Sequence, residues 1–542
     1  MPLAAFAGQL HIHVTDETGR PVWTRVEVRG PGGKMYQAEG AIRDLMKKAR
    51  GGAPYYLGSF VVQGDATVTV PDGHFTVIAE HGLEYERGQK EVDIRGARSV
   101  NISFHLRPWI RMRDRGWYSG DVHIHQPLKE LPALAEAEDL NVNVLTNRNK
   151  QQMFREPWPV NPVMEVSLDH LMRLSAQDAA ASSSGSVTRP ARSVVRVLLL
   201  TSAEDERRGG SWILDGLRKP LALERESGWY PPGIVYVRQA RAQREPGDVF
   251  PWFDIDMPIW WEVPVMMALE TPDSLDILHN QFMQYGIDQS EYWGRPRDRV
   301  KFSGWRGFVD YSLGLYYRYL NLGFHVPPTA GTGSGVMPSP PGYNRVYSHL
   351  NGPLTIENWF RAIRDGHSFV TNGPMLFVHT SKSGTKITVS IEARAREPLE
   401  SCEIVANGEI LKRFMVKRGS LKFHGLYSFD ASGHSWVAAR CFLATRESIR
   451  LAHSTPVYLD GHWDARGDAQ YFAAWINELI EQTQSDQNRF ADEERAGRGG
   501  VLDRDQKHAA AGFRCARVSD EQRTQVLELY RRALKIYQAK AQ

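Results

Sequence analysis

Over residues 8–107, apolar and polar positions alternate with period two in short runs: LHIHVTD, VWTRVEVRG, ATVTVPDG, HFTVIAEH and SVNISFHL. Gly, Pro and Asp punctuate the gaps, as in ETGRP. Successive side chains of an extended strand face opposite ways, so the pattern predicts a small antiparallel β-sandwich over 1–110. From about 111 to 373 the runs become apolar and β-branched, with helical stretches between them: DVHIH, NVNVLT, VVRVLLLT, GIVYVRQ, LDILHNQ, FHVPPTAG and HSFVTNG. Strands apolar on both faces belong to sheets covered by helices, so these seven predict a parallel barrel of β/α units. In such barrels the site lies at the C-terminal strand ends. Short strands return over 374–463 (KITVSIEA, CEIVANGE, SWVAARCFL, PVYLD) and predict a second sandwich. Over 464–542, AQYFAAWINELIEQT and SDEQRTQVLELYRRALKIYQAK have helical apolar spacing, with Ser519 as N-cap of the latter. The segment SAQDAAASSSGSVTRPARS (175–193) reads as a flexible surface insertion.

The expected fold class is therefore multidomain, α/β plus all-β: a distorted (β/α)7 barrel flanked by N- and C-terminal β-sandwiches, with C-terminal helices. Length agrees, since 542 residues exceed what one hydrophobic core accommodates. Lys plus Arg (66) nearly balances Asp plus Glu (63), for a net charge of +3. That leaves no bulk electrostatic case for nucleic acid or anionic membrane and points to a small-molecule substrate. No run of 18 apolar residues exists, so no membrane span is expected. Cys402, Cys441 and Cys515 are too few for a disulfide framework and read as free thiols, with a Cys402–Cys441 bridge left open. The start MPLAAFAGQL lacks a charged n-region and a long apolar h-region. It fits a cytoplasmic start, or a secreted or periplasmic chain whose signal has been removed.

The chemistry centres on a triplet that occurs twice. In QLHIHVT, His11 and His13 share one face of an early sandwich strand with no acidic or imidazole cluster nearby, and they read as polar surface. In GDVHIHQ, His123 and His125 also share a face, but at the mouth of the predicted barrel. Two imidazoles on one rigid strand can ligate a single ion such as Zn, Fe or Mn.

The stretch GWYSGDVHIH resembles the first motif of the PHP superfamily of metallohydrolases, in its carbaryl-hydrolase (CehA/McbA-like) branch. The likeness continues through EDERRGG, DMPIWWEVP, YYRYLNLGFHVPPTAGTGSGV, PGYNRVY, SFVTNGPML and AHSTPVYL, covering most of 116–459. It implies a PHP-like barrel and metal-dependent hydrolysis. The DETGRPV turn and VPDGHFTV strand are similarly like the transthyretin-like (carboxypeptidase-regulatory) modules that accompany many secreted hydrolases. The chain departs from the PHP pattern where the superfamily keeps further ligands. LTNRN puts Asn147 and Arg148 there, and AGTGSG puts Gly333 and Gly335. A cation at Arg148 repels a second metal, so one divalent ion is expected.

The expected metal ligands are His123, His125, His279 in LDILHNQ, Glu206 in EDERR and His325 in GFHVPP, with Glu204 and Asp205 as rivals to Glu206. A carboxylate left over among Glu204, Asp205 and Glu206 could act as general base toward metal-activated water. Arg148, Arg207 and Arg208 are candidate anion holders. Trp260, Trp261 and the tyrosines of YYRYL read mainly as core. PPTAGTGSG has no P-loop ending, and there is no GxSxG elbow. The expected activity is hydrolysis of an ester, carbamate or related bond. The alternatives are a phosphoesterase, a metal-assisted lyase on a sugar-like substrate, and a non-catalytic binding protein with a degenerate metal site.

Overall fold

The computed structural model describes residues 7–43, 58–96, 98–149, 163–167, 196–207, 209–221, 230–289, 291, 294–484 and 519–542, with the side chains of 7, 43, 147–149, 163–167, 196–197 and 206–207 left out. The 175–193 insertion and Cys515 lie outside these residues.

The first region is two facing sheets. Ala7–Asp16 lies between Asp65–Pro71, antiparallel, and Ser99–Leu106, parallel. The facing sheet has Trp23–Arg29 between Phe60–Gln63 and Gly73–Glu80, with Gly88–Ile94 beyond. Leu10, Ile12 and Val14 fall on the inner face and pack with Val26, Val28, Phe75, Val77 and Phe104. His11 and His13 consequently face outward.

The central region is a ring of seven strands. Trp117–Ile124, Val142–Asn149 and Arg196–Arg207 run parallel, and Gly210–Asp215 turns back antiparallel. Trp252–Ile255 restores the first direction and is followed in parallel by Ser274–Leu278 and Pro328–Ala330. The backbone beyond Ala330 then returns to the first strand. Gly333 N donates to His123 O at 2.8 Å, and His125 N donates to Ser334 O at 2.6 Å. Asp121 fastens this seam by accepting from Thr332 N (3.1 Å), Thr332 Oγ1 (2.5 Å) and Gly342 N (2.7 Å).

Seven strands were expected here; Val163–Ser167 adds a further strand that pairs antiparallel with Arg196–Arg207 off this path, and two of the expected members differ. GIVYVRQ forms the helix Gly233–Arg241 rather than a strand. The preceding prolines favour a helix start, Ile234, Val237 and Ala240 bury one helical face, and Arg238 and Arg241 pair with Glu270 on the other. HSFVTNG gives the strand Ser368–Thr371, but it pairs antiparallel with Arg345–His349 outside the ring. Gly210–Asp215 and Trp252–Ile255 take the two places.

Arg345–His349 pairs with the first ring strand and carries the same sheet outward through Ser368–Thr371, Leu451–Ser454, Trp436–Leu443, Leu399–Ala406 and Glu409–Met415. Met375–Ser383, Lys386–Arg394 and Lys422–Asp430 face it to complete the second sandwich. Cys402 and Cys441 stand directly opposite in this sheet, buried and unbridged. Arg25 of the first sandwich donates to Glu138 beside the ring and to Glu80, each at 2.6 Å, while Arg396 of the second sandwich donates to Glu80 at 2.8 Å. All three regions are thereby tied at one buried point.

The helices Arg466–Gln484 and Asp520–Lys540 cover the ring's flank. Phe472 stacks on Tyr319 of the helix Gly307–Asn321 at 4.3 Å, and Tyr537 donates to Pro264 O. Ser519 caps the last helix as expected, in a full capping box with Gln522. Among the described residues no helix is long and apolar enough to cross a membrane.

Candidate metal centre

On the first ring strand, Asp121 and His123 share one face, and His125 follows just beyond the strand's end. Gly331 and Gly335 let the returning loop lie on this strand. A Cβ at Gly331 would sit 2.5 Å from His123 Cβ, and one at Gly335 2.8 Å from the His125 backbone. The glycines of PPTAGTGSG thus close the ring against the histidines.

Three side chains converge at this mouth. His123 Nε2 lies 2.8 Å from His125 Nε2 and 3.7 Å from Glu204 Oε1, and His125 Nε2 lies 3.5 Å from Glu204 Oε2. Among the described residues, His123, His125 and Glu204 are the one group of three whose ligand atoms fall within 4.8 Å of one another. Two ring nitrogens this close need something positive between them, either a proton or a metal ion. On an ion with bonds of about 2.0–2.1 Å, neighbouring donors are roughly 3.0–3.4 Å apart, close to the observed edges. Two imidazoles and a carboxylate suit a divalent transition metal and leave further coordination positions open.

Each donor is held by the fold. Glu204 is on the strand Arg196–Arg207, where Ser211 Oγ from the adjacent strand donates to its Oε1 at 2.7 Å. Burial raises the Glu204 pKa, but His123, His125 and Ser211 outweigh it and hold the group down at about 2, anionic at neutral pH. His123 is buried, and its Nδ1 lies 3.1 Å from Asp256 Oδ1, just past the strand Trp252–Ile255. Burial opposes charge on this ring, yet Asp256 and Glu204 raise its pKa well above the ordinary value. His125 keeps 19% of its side chain exposed and Glu204 13%, against 1% for His123, so the open side of the group lies at His125 and Glu204.

Below the group the ring is lined with carboxyls. Burial, reinforced by neighbouring carboxyls, pushes Asp254 up to about 7 and Asp215 and Asp276 well above the carboxylate range. Asp254 accepts from Ser274 Oγ (2.8 Å) and Thr329 Oγ1 (3.0 Å), while Asp276 Oδ2 has no hydrogen-bond partner among the described residues.

The other expected ligands stand elsewhere. His279 does follow a strand end, but its ring turns into the core, against Phe282 and Phe308 with Nε2 3.3 Å from Ser312 Oγ. Burial pushes its pKa down to about 3, so it is neutral, and it does not join the group. His325 precedes the strand Pro328–Ala330 and so lies at the opposite end of the ring, stacked on Tyr458 at 3.8 Å. A strand's entry end cannot reach a site built at the exit ends. The carboxylate in the group is Glu204, where the sequence favoured Glu206. Asp205 faces the other side of the strand by alternation. The side chains of Glu206, Arg148, Arg207 and Arg208 lie outside the described residues. Trp260 and Trp261 are buried, as core aromatics. Asp256 and Ser211 were missed. The sequence signal for Asp256 was a polar residue just after an apolar strand, within DMPIWWEVP.

No protein-family model matches the chain, and no curated protein matches it.

Proposed function

We propose that the protein is a metal-dependent hydrolase acting on an ester, carbamate or related bond of a small molecule, with one divalent ion held by His123, His125 and Glu204. The observation that carries the reading is the convergence of these three donors at the strand exits of a closed ring. An ion held by these residues would supply Lewis acidity toward a carbonyl oxygen and would acidify water at neutral pH. The chain's own residues set the conditions. His123 anchors the buried side of the group, and His125 and Glu204 border the side that substrate can approach. Glu204, strongly acidic and fixed by Ser211, is better suited to ligation than to accepting a proton. The resemblance to carbaryl hydrolases narrows the class of bond. One three-donor group among the described residues favours this chemistry over phosphoester cleavage by a cluster of ions.

The test combines metal content with a substrate screen. Protein from metal-replete expression should hold about one equivalent of transition metal and hydrolyse aryl esters or carbamates, with both properties lost on His123→Ala. Absence of metal would leave a binding protein with a degenerate site. Turnover of phosphate esters alone would move the assignment to a phosphoesterase.

A further inference from the structure

Asp256 has no ligand role in the group of three, yet it is buried beside it. Its Oδ1 is 3.1 Å from His123 Nδ1, on the side of the imidazole facing away from His125 and Glu204. Neutral imidazole carries its proton on one nitrogen only, and that nitrogen cannot ligate a metal. A carboxylate that accepts from Nδ1–H therefore decides that the lone pair is on Nε2, the atom facing the other two donors. It also fixes the ring plane and makes Nε2 more basic. Asp256 is itself held: it directly follows the ring strand Trp252–Ile255, and its backbone N donates to Ser211 O at 3.5 Å. Ring strands so anchored can keep the two residues aligned although 133 positions separate them.

We propose that Asp256 is a positioning residue that locks His123 in its Nδ1–H tautomer and so presents Nε2 for metal binding. The proposal rests on the reading of His123, His125 and Glu204 as a metal centre. Asp276, Asp254 and Asp215 do not share this role, because none of them hydrogen-bonds a member of the group.

The experiment uses the full chain with Asp256→Ala and Asp256→Asn, checked for folding by circular dichroism and melting temperature. Zn2+ alone is the probe, with affinity from competition against a chelator. Side-chain 15N spectra of labelled histidine in the Zn2+-loaded protein, where a ligating ring must be neutral, report which nitrogen of His123 carries the proton. Asp256→Ala should weaken Zn2+ binding by about 10–100-fold, the range seen when a metal-bound histidine loses its partner, and should make the Nε2–H form visible. Asp256→Asn retains an acceptor oxygen and should lose less. A merely structural role would lower the melting temperature of both variants without moving the tautomer. Equal affinity within twofold, or an unchanged tautomer in Asp256→Ala, overturns the proposal while leaving the metal centre standing. Failure of the wild type to bind Zn2+ overturns both.

Discussion

The two HIH triplets have the same letters and the same extended backbone, and they differ in what can reach them. On Ala7–Asp16 the histidines look out from the outer face of a three-stranded sheet, and each meets one residue directly across from it. His11 Nδ1 lies 2.9 Å from Thr67 Oγ1, and His13 Nδ1 lies 2.7 Å from Asp65 Oδ1. On Trp117–Ile124 the histidines look into a ring. Glu204, Ser211 and Asp256, from or just beyond three other strands, meet them or their carboxylate partner there. An open sheet face offers a side chain its cross-strand neighbour and little else. Only closure brings a third and fourth element to the same point, so the triplet becomes a site through topology and not through its letters.

The sharpest way to break this contrast is to exchange the outcomes. His123→Ala plus His125→Ala should reduce bound metal from about one equivalent to none by elemental analysis, while His11→Ala plus His13→Ala leaves it unchanged. A fall in the second variant would mean that the open face binds the ion. Next in size is the carboxylate. Glu204→Gln keeps the shape and the acceptor for Ser211 but removes the charge. It should weaken Zn2+ binding by more than the roughly 10–100-fold cost of losing a supporting partner. Glu206→Gln should stay within about tenfold, and the reverse order would return the ligand role to Glu206.

This pair also marks where sequence reasoning stopped. Period two put HIH at a strand exit and named EDERR as the carboxylate source, but it cannot choose between positions i and i+2. Ser211 holds Glu204 in the group, through a hairpin that the apolar runs did not reveal, and the Glu206 side chain lies outside the described residues. Asp256 follows a strand that is not adjacent to the one bearing His123, and the two side chains meet only across the interior of the ring. His279 and His325 were misplaced for two different reasons. A residue after a strand end can turn into the core, as His279 does beside Phe308, and a residue before a strand is at the wrong end altogether. The sandwiches and the Ser519 cap were legible because alternation and capping are local rules. GIVYVRQ was not, because a short apolar run fits a strand and a buried helix face equally well.

A smaller effect separates the interiors behind the two triplets. Behind His11 and His13 lie Leu10, Ile12 and Val14, whereas below His123 lie Asp254, Asp276 and Asp215. Burial first, then neighbouring Asp256, raises the Asp254 pKa to about 7 from an ordinary 3.8, offset in part by Ser274 and Thr329. A carboxyl with a raised folded pKa binds its proton more tightly in the folded state. Its contribution is complete below about pH 4 and is lost as pH rises through 7. His123, also raised, acts in the same direction, while the depressed Glu204 acts only below about pH 4.5. Chelator-treated protein should therefore melt lower at pH 8 than at pH 5. Asp254→Asn should flatten that slope, gaining about 1 °C over wild type at pH 8 for each kcal/mol relieved in a chain of this length. A variant with the wild-type slope would show that Asp254 does not carry the proton.

The smallest expected change is at the first triplet itself. His13 and Asp65 form a close pair, but 45% and 80% of their side chains are exposed. Water screens such a pair, and ordering two mobile side chains offsets much of the attraction, so Asp65→Asn should cost about 0.5 kcal/mol or less. By differential scanning calorimetry at neutral pH the transition should barely move, and added Zn2+ should shift it no more in the variant than in the wild type. A Zn2+-dependent shift that disappears with Asp65→Asn would show that His13 and Asp65 take up metal on an open sheet. Closure of the ring would then no longer be what distinguishes the two strands.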